Sequence, residues 1–165
     1  VTDYGLEEVG QLSWLESLVL SRTNVTDAGL EKLRGLKEIR TLSLFDTQVT
    51  GSGFVHLQGL THLEYLDLTG TQVHDAGLQY IGRLTNLEFL NLGDTRVTDS
   101  GLIHLQGLTN LRRLELDGTA VTDSGPSHLR ECRGLLAISV RNTGATQAGG
   151  LALPGVILQG LAEER

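Results

Sequence analysis

Residues 15–38 read LESLVLSRTNVTDAGLEKLRGLKE, and two hydrophobic periods meet inside them. The first half alternates. Leu18 and Leu20 point one way while Ser17, Val19 and Ser21 point the other, the pattern of a strand with one buried face. The second half spaces Leu30, Leu33 and Leu36 three residues apart, which predicts a short helix or 3₁₀ turn with one apolar stripe. Between the halves, Thr26 and Asp27 stand where an N-cap and a first-turn acid would stabilise that helix. A unit this small cannot cover its own apolar edges and needs a neighbour.

The neighbour is the next stretch of chain. IRTLSLFDTQVTGSGFVHLQGLTH starts at Ile39, LEYLDLTGTQVHDAGLQYIGRLTN at Leu63, LEFLNLGDTRVTDSGLIHLQGLTN at Leu87 and LRRLELDGTAVTDSGPSHLRECRG at Leu111. A sixth copy starts at Leu135 and decays from about 144 to 165, while 1–14 is the back half of an earlier copy. The copies superimpose without gaps, so one repeat domain is expected over 1–165. Stacking would align Leu18, Leu42, Leu66, Leu90, Leu114 and Ile138 in one row, and Val25, Val49, Val73, Val97, Val121 and Ala145 in another. Each buried rung would contribute roughly 1.5–3 kcal/mol of transfer free energy.

Other residues recur with the same spacing. Gly5, Gly29, Gly53, Gly77, Gly101, Gly125 and Gly149 suggest a place between copies where only a hydrogen fits. Thr23, Thr47, Thr71, Thr95, Thr119 and Thr143 follow each strand, and their hydroxyls are expected to bond backbone groups of neighbouring turns. Pro126 belongs in a first helical turn, which makes Asp123 or Ser124 a better cap there than Thr122. At the ends, Val1, Leu6, Val9, Leu12 and Trp14 are available to shield the first strand. Pro154 should stop the last helix, and GVILQGL should add a short strand before the array ends.

These residues resemble the leucine-rich repeat family. Leu15, Leu18, Leu20 and Val25 meet the pattern L-x-x-L-x-L-x-x-N/C-x-L, with Thr23 in the usual Asn or Cys place. The likeness covers essentially the whole chain. It is strongest to the bacterial type with T-x-V-T-D-x-G-L, and is similar also to repeats of F-box ubiquitin-ligase receptors and GALA-type effectors. It implies an α/β class fold, a curved right-handed solenoid with parallel strands on the concave side and short helices on the convex side. It also implies a function in binding another protein.

Composition narrows the partners. The 165 residues hold 13 Lys+Arg against 20 Asp+Glu, a net charge of −7, which disfavours nucleic acid and anionic membrane as partners. No apolar run reaches membrane-spanning length and no signal-peptide pattern opens the chain. The chain holds no methionine, so Val1 is not a translation start and a fragment or trimmed product is expected; the compartment stays open, with a lean to the cytoplasm. The single cysteine, Cys132, occupies a core leucine position and reads as a small hydrophobe.

The variable strand residues are the informative ones. Tyr65 and Phe89 are expected as neighbours on adjacent strands, with Phe45 one turn earlier. Asp67, Asn91, Arg113, Glu115 and Asp117 surround them. This patch suits a protein or peptide of partly basic character, bound without a cofactor. The bland alternative is that the two rings only pair across strands. Asp67 and Glu115 lie two strands apart, about 10 Å, just beyond the usual inverting-carboxylate range, so a hydrolase is the distant alternative. A substrate-recognition segment of a larger ubiquitin-ligase-like or effector protein stands between the two. His56, His104 and His128 share one helical position, but two adjacent histidines without a third ligand make a weak zinc site, so exposure is the better reading. Asn24-Val25-Thr26 forms a glycosylation sequon that the repeat itself explains.

Overall fold

The computed structural model describes residues 1–150, 153 and 155–160. Seven strands form one open parallel sheet in chain order. They are β1 (Ser17–Val19), β2 (Thr41–Ser43), β3 (Tyr65–Asp67), β4 (Phe89–Asn91), β5 (Arg113–Glu115), β6 (Ala137–Ser139) and β7 (Ile157–Gln159). Ser17 pairs with Thr41, Thr41 with Tyr65, and so on through Ala137, a constant advance of 24 residues. β7 pairs in parallel with β6 after a shorter return, with Ala137 opposite Ile157. The expected terminal strand is therefore present, while Pro154 lies outside the described residues.

The opposite side carries short helical segments. Asp27–Leu30 is α-helical and passes into 3₁₀ helix over Glu31–Gly35; Asp99–Leu102 passes into Ile103–Leu105 in the same way. Asp75–Ile81 is α-helical, whereas Ser52–Leu57 and Gly125–Leu129 are 3₁₀. Between sheet and helices the aliphatic rows are dry. Leu42, Leu66, Leu90, Leu114 and Ile138 are fully buried, as are Val25, Val49, Val73, Val97 and Val121. Leu18, on the edge strand, is only half-buried, because no strand precedes β1 to cover it.

After each of β1–β6 the chain turns through one left-handed residue: Arg22, Asp46, Gly70, Asp94, Gly118 and Asn142 all have φ between 52° and 70°. Five of these six are Gly, Asp or Asn, the types that enter this region most easily, and Arg22 is the exception. The threonine next in line closes the turn. Its hydroxyl donates to the carbonyl three residues back, Thr23 to Leu20 and likewise through Thr143 to Val140. The hydroxyls thus bond within their own turn, correcting the expectation that they reach a neighbouring one. A β-turn brings that carbonyl within reach of the threonine's own side chain, whereas the next copy's backbone is already paired in the sheet.

The inter-turn bond belongs to another pair. Asp3 accepts from the backbone N–H (2.9 Å) and the hydroxyl (2.7 Å) of Thr26, one copy on. Asp75 holds Thr98 the same way at 2.8 and 2.7 Å, Asp99 holds Thr122, and Asp123 holds Thr146. Asp27 takes four donors: the Thr50 hydroxyl and the N–H groups of Thr50, Gly51 and Gly53. These carboxylates explain three of the row's glycines, Gly29, Gly101 and Gly125, whereas Gly53 is crowded by the Asp27 backbone and Gly77 by that of Gly51. A Cβ on Gly101 would lie 2.4 Å from the Asp75 carboxylate, and one on Gly125 2.5 Å from that of Asp99. The threonines also cap, since Thr26 and Thr98 accept from Ala28 and Ser100 N–H at 3.2 Å. In the Pro126 copy the same bond persists, longer, from Ser124 N–H to Thr122 at 3.4 Å, and the Ser124 side chain makes no cap bond. Ser124, one of the two expected residues, does take the N-cap position, but the capping bond stays with Thr122, and Asp123 is engaged by Thr146.

At the N-terminal end only part of the expected shield forms. Leu6 is fully buried and Val9 packs against the core, but Trp14 is 70% exposed, and Val1 and Leu12 are exposed too.

Candidate functional site

The strand face is a grid set by the register. Tyr65 on β3 is opposite Phe89 on β4, and their rings stack with centroids 4.5 Å apart and planes 3° off parallel. Both are half-buried. The pair therefore does lend cross-strand stability, while keeping part of each ring at the surface. Phe45, beyond the end of β2, carries the Arg22 guanidinium 5.2 Å over its ring. That contact ties the left-handed Arg22 to the strand face.

The polar neighbours are more constrained than the sequence suggests. Arg113 and Glu115 of β5 form an ion pair, and Glu115 is buried beneath it. Asp117 accepts from the Ser139 hydroxyl (2.6 Å) and the Arg141 N–H (2.8 Å). Asn91 accepts from the Gly93 N–H at 2.9 Å. Asp67 accepts from the Thr69 N–H and hydroxyl on one oxygen, and from the Ser43 hydroxyl at 3.3 Å on the other. Two further ion pairs, Arg40–Glu64 and Arg112–Glu88, flank the rings just ahead of the strands. Ion pairing thus reaches Glu64, Glu88 and Glu115, while Asp67 and Asp117 are held by uncharged donors. Asp67 alone of β3–β5 has a carboxylate with no basic partner among the described residues. Its charge is felt nearby: burial, and then Asp67 and Glu115, push the Tyr65 phenol above its usual range.

The other candidates are placed as follows. Cys132 is buried with its sulfur 3.2 Å from the Leu105 carbonyl, and burial, then Glu131, pushes its thiol up to about 11, which suits a core filler and not a nucleophile. His56 and His104 are exposed and His128 half-buried; among the described residues no three His, Cys, Asp or Glu gather as a metal set would. Among the described residues no helix is long and apolar enough to cross a membrane. What sequence reasoning missed is the Asp–Thr ladder. A signal for it existed: Gly51 replaces the aspartate in one copy and His74 the threonine in the next.

Comparison with known proteins agrees with this architecture. A family model described as Leucine Rich repeat matches residues 11–33, 59–82 and 83–105. No curated protein gives a significant match. Among solved structures, internalin C2 of Listeria monocytogenes superimposes with a TM-score of 0.71 at 25% identity, over 96% of this chain and 75% of its own. A leucine-rich-repeat protein of Leptospira interrogans gives 0.76 at 22% identity, over 92% and 38%. The plant peptide hormone receptor RGFR1, solved in complex with RGF2, gives 0.66 at 18% identity, over 94% and 26%. The chain spans a minor part of the last two, so their likeness carries the fold alone.

Proposed function

Since the chain is a leucine-rich-repeat protein, we propose that it is a recognition module that holds a protein or peptide on its strand face. The supporting observation is the Tyr65–Phe89 stack, a large apolar surface left half-open in the middle of a sheet whose other central residues are polar. Phe45, Asp67, Asn91, Arg113, Glu115 and Asp117 complete the surface around it. Aromatic anchors ringed by satisfied polar groups are the usual energetic centre of an interface. The uncompensated Asp67 favours a partner that is basic at the point of contact.

The module is read as non-catalytic. Glu115 is paired and buried and Asp67 is anchored by Thr69 and Ser43, so neither is poised as a general acid or base. Two experiments test the reading. A pull-down with the Tyr65→Ala/Phe89→Ala variant should lose partners that the native chain retains, with the variant still folded by circular dichroism; retention of every partner at equal affinity sinks the strand-face reading. A hydrolase screen should find no activity that disappears in both Asp67→Asn and Glu115→Gln.

A further inference from the structure

We propose that the partner inserts an arginine side chain into a notch over β2, between Tyr65 and Val19. This rests on the strand-face reading above and names the group that the face receives. The notch follows from the grid. One face of the Tyr65 ring is covered by Phe89, with the planes 3° off parallel, so the other face looks toward β2. There the outward residues are short, Thr41 and Ser43, against Tyr65 and Asp67 in the same register. On the far side stands β1, whose Val19 is 65% exposed and pairs with Ser43. Two strand spacings, about 9.6 Å, separate β1 from β3, and Val19 stands in the row of Asp67, two residues along from that of Tyr65, so the notch runs diagonally and has room for one planar group and its aliphatic stem.

The chemistry of the walls selects the occupant. An open tyrosine face attracts a cation that can lie flat on it, and a guanidinium does so better than an ammonium. Asp67 accepts only a 3.3 Å bond from Ser43 on one oxygen, so that oxygen retains room for a charge-assisted bond. Arginine already satisfies three neighbouring glutamates, since Arg40, Arg112 and Arg113 pair with Glu64, Glu88 and Glu115, while Asp117 is held by the Ser139 hydroxyl and the Arg141 N–H. The chain also stacks its own Arg22 on Phe45 at the same face. Asp67 beside the open side of Tyr65 is the place where both interactions are available and neither is used. Val19 would line the methylene stem.

The test is a titration of the isotope-labelled full chain with acetyl-Gly-Arg-Gly-amide, followed by amide shifts in NMR, beside the lysine and citrulline peptides. The arginine peptide should move Ser43, Tyr65 and Asp67 saturably. The lysine peptide, charged but not planar, and the citrulline peptide, planar but uncharged, should each bind at least about fivefold more weakly. Asp67→Asn should weaken the arginine peptide about tenfold, and Tyr65→Leu, which keeps an apolar wall, by about fivefold. Equal response to arginine and lysine, shifts centred on other acids such as Glu7 and Glu31, or no effect of Asp67→Asn would overturn the proposal. The pull-down with the Tyr65→Ala/Phe89→Ala variant fails independently, so loss of the arginine notch leaves the strand-face reading standing or falling on its own result.

Discussion

The joint between the turns carrying Asp75 and Thr98 and the joint between those carrying Gly51 and His74 do the same job with different means. At the first, one carboxylate bonds the N–H and hydroxyl of the next turn's threonine. At the second both members of the pair are missing, and the backbones close instead. Gly51 takes φ 113°, open to glycine, and a Cβ there would lie 2.7 Å from the Cα of Gly77. The Gln58 amide then bridges the two turns, donating to the carbonyls of Phe54 (3.1 Å) and Tyr80 (3.0 Å). Phe54 fills the core where Leu30, Leu78 and Leu102 stand in other turns. The difference teaches that the rung is a two-residue device. An aspartate without its threonine, or a threonine without its aspartate, would leave a polar group short of a partner between packed turns. Losing both at once lets glycine contact, a longer core side chain and an amide take over.

Four measurements would break or sharpen this contrast. Phe54→Ala should have the largest effect, about 3–5 kcal/mol by urea unfolding, because the joint without the rung leans on that ring. Asp27→Asn should cost about 2–3 kcal/mol, since three backbone N–H groups and a hydroxyl lose a charged acceptor. Its effect should also depend on pH. Partial burial alone would raise the Asp27 carboxyl, but the Thr50 hydroxyl and the N–H groups of Gly53, Thr50 and Gly51 outweigh it and hold the carboxyl below its usual value. Folding therefore favours the ionised form. The contribution is complete above the unfolded value of about 3.9 and is lost as pH falls through the lower folded value, so the gap in urea midpoint between native chain and Asp27→Asn should narrow below about pH 4. Last, Gly51→Asp should destabilise alone, and His74→Thr should recover part of the loss. A double-mutant cycle should give a favourable coupling of about 1 kcal/mol; additivity would refute the paired device.

Most of the fold was legible because its cause is periodic. Alternation at Leu18 and Leu20, and its return at every copy, is a statement about burial that one sequence can make. The rows, the strand register and the meeting of Tyr65 with Phe89 all follow from it. The hydroxyl and carboxylate bonds were not legible within one copy, because Thr23 and Asp27 each have several geometrically plausible partners and composition does not rank them. Trp14, expected to help shield the first strand, is 70% exposed, while Leu6 of the same half-copy is fully buried. The strand-face candidates fell on adjacent grid positions for the same reason the core did. Their charge state did not follow, since the pairing of Arg113 with Glu115 along one strand depends on rotamers that no spacing rule specifies.

The gap in the rung ladder has a use in reverse. Excising the 24 residues 51–74 would splice Thr50 directly onto Asp75. The shortened coil would read VTDAGL across the scar, the string already found at 25–30, with Asp27 still facing Thr50 and Asp75 still facing Thr98. A miniaturised chain made this way would possess an uninterrupted column of carboxylate clasps, without a single point substitution.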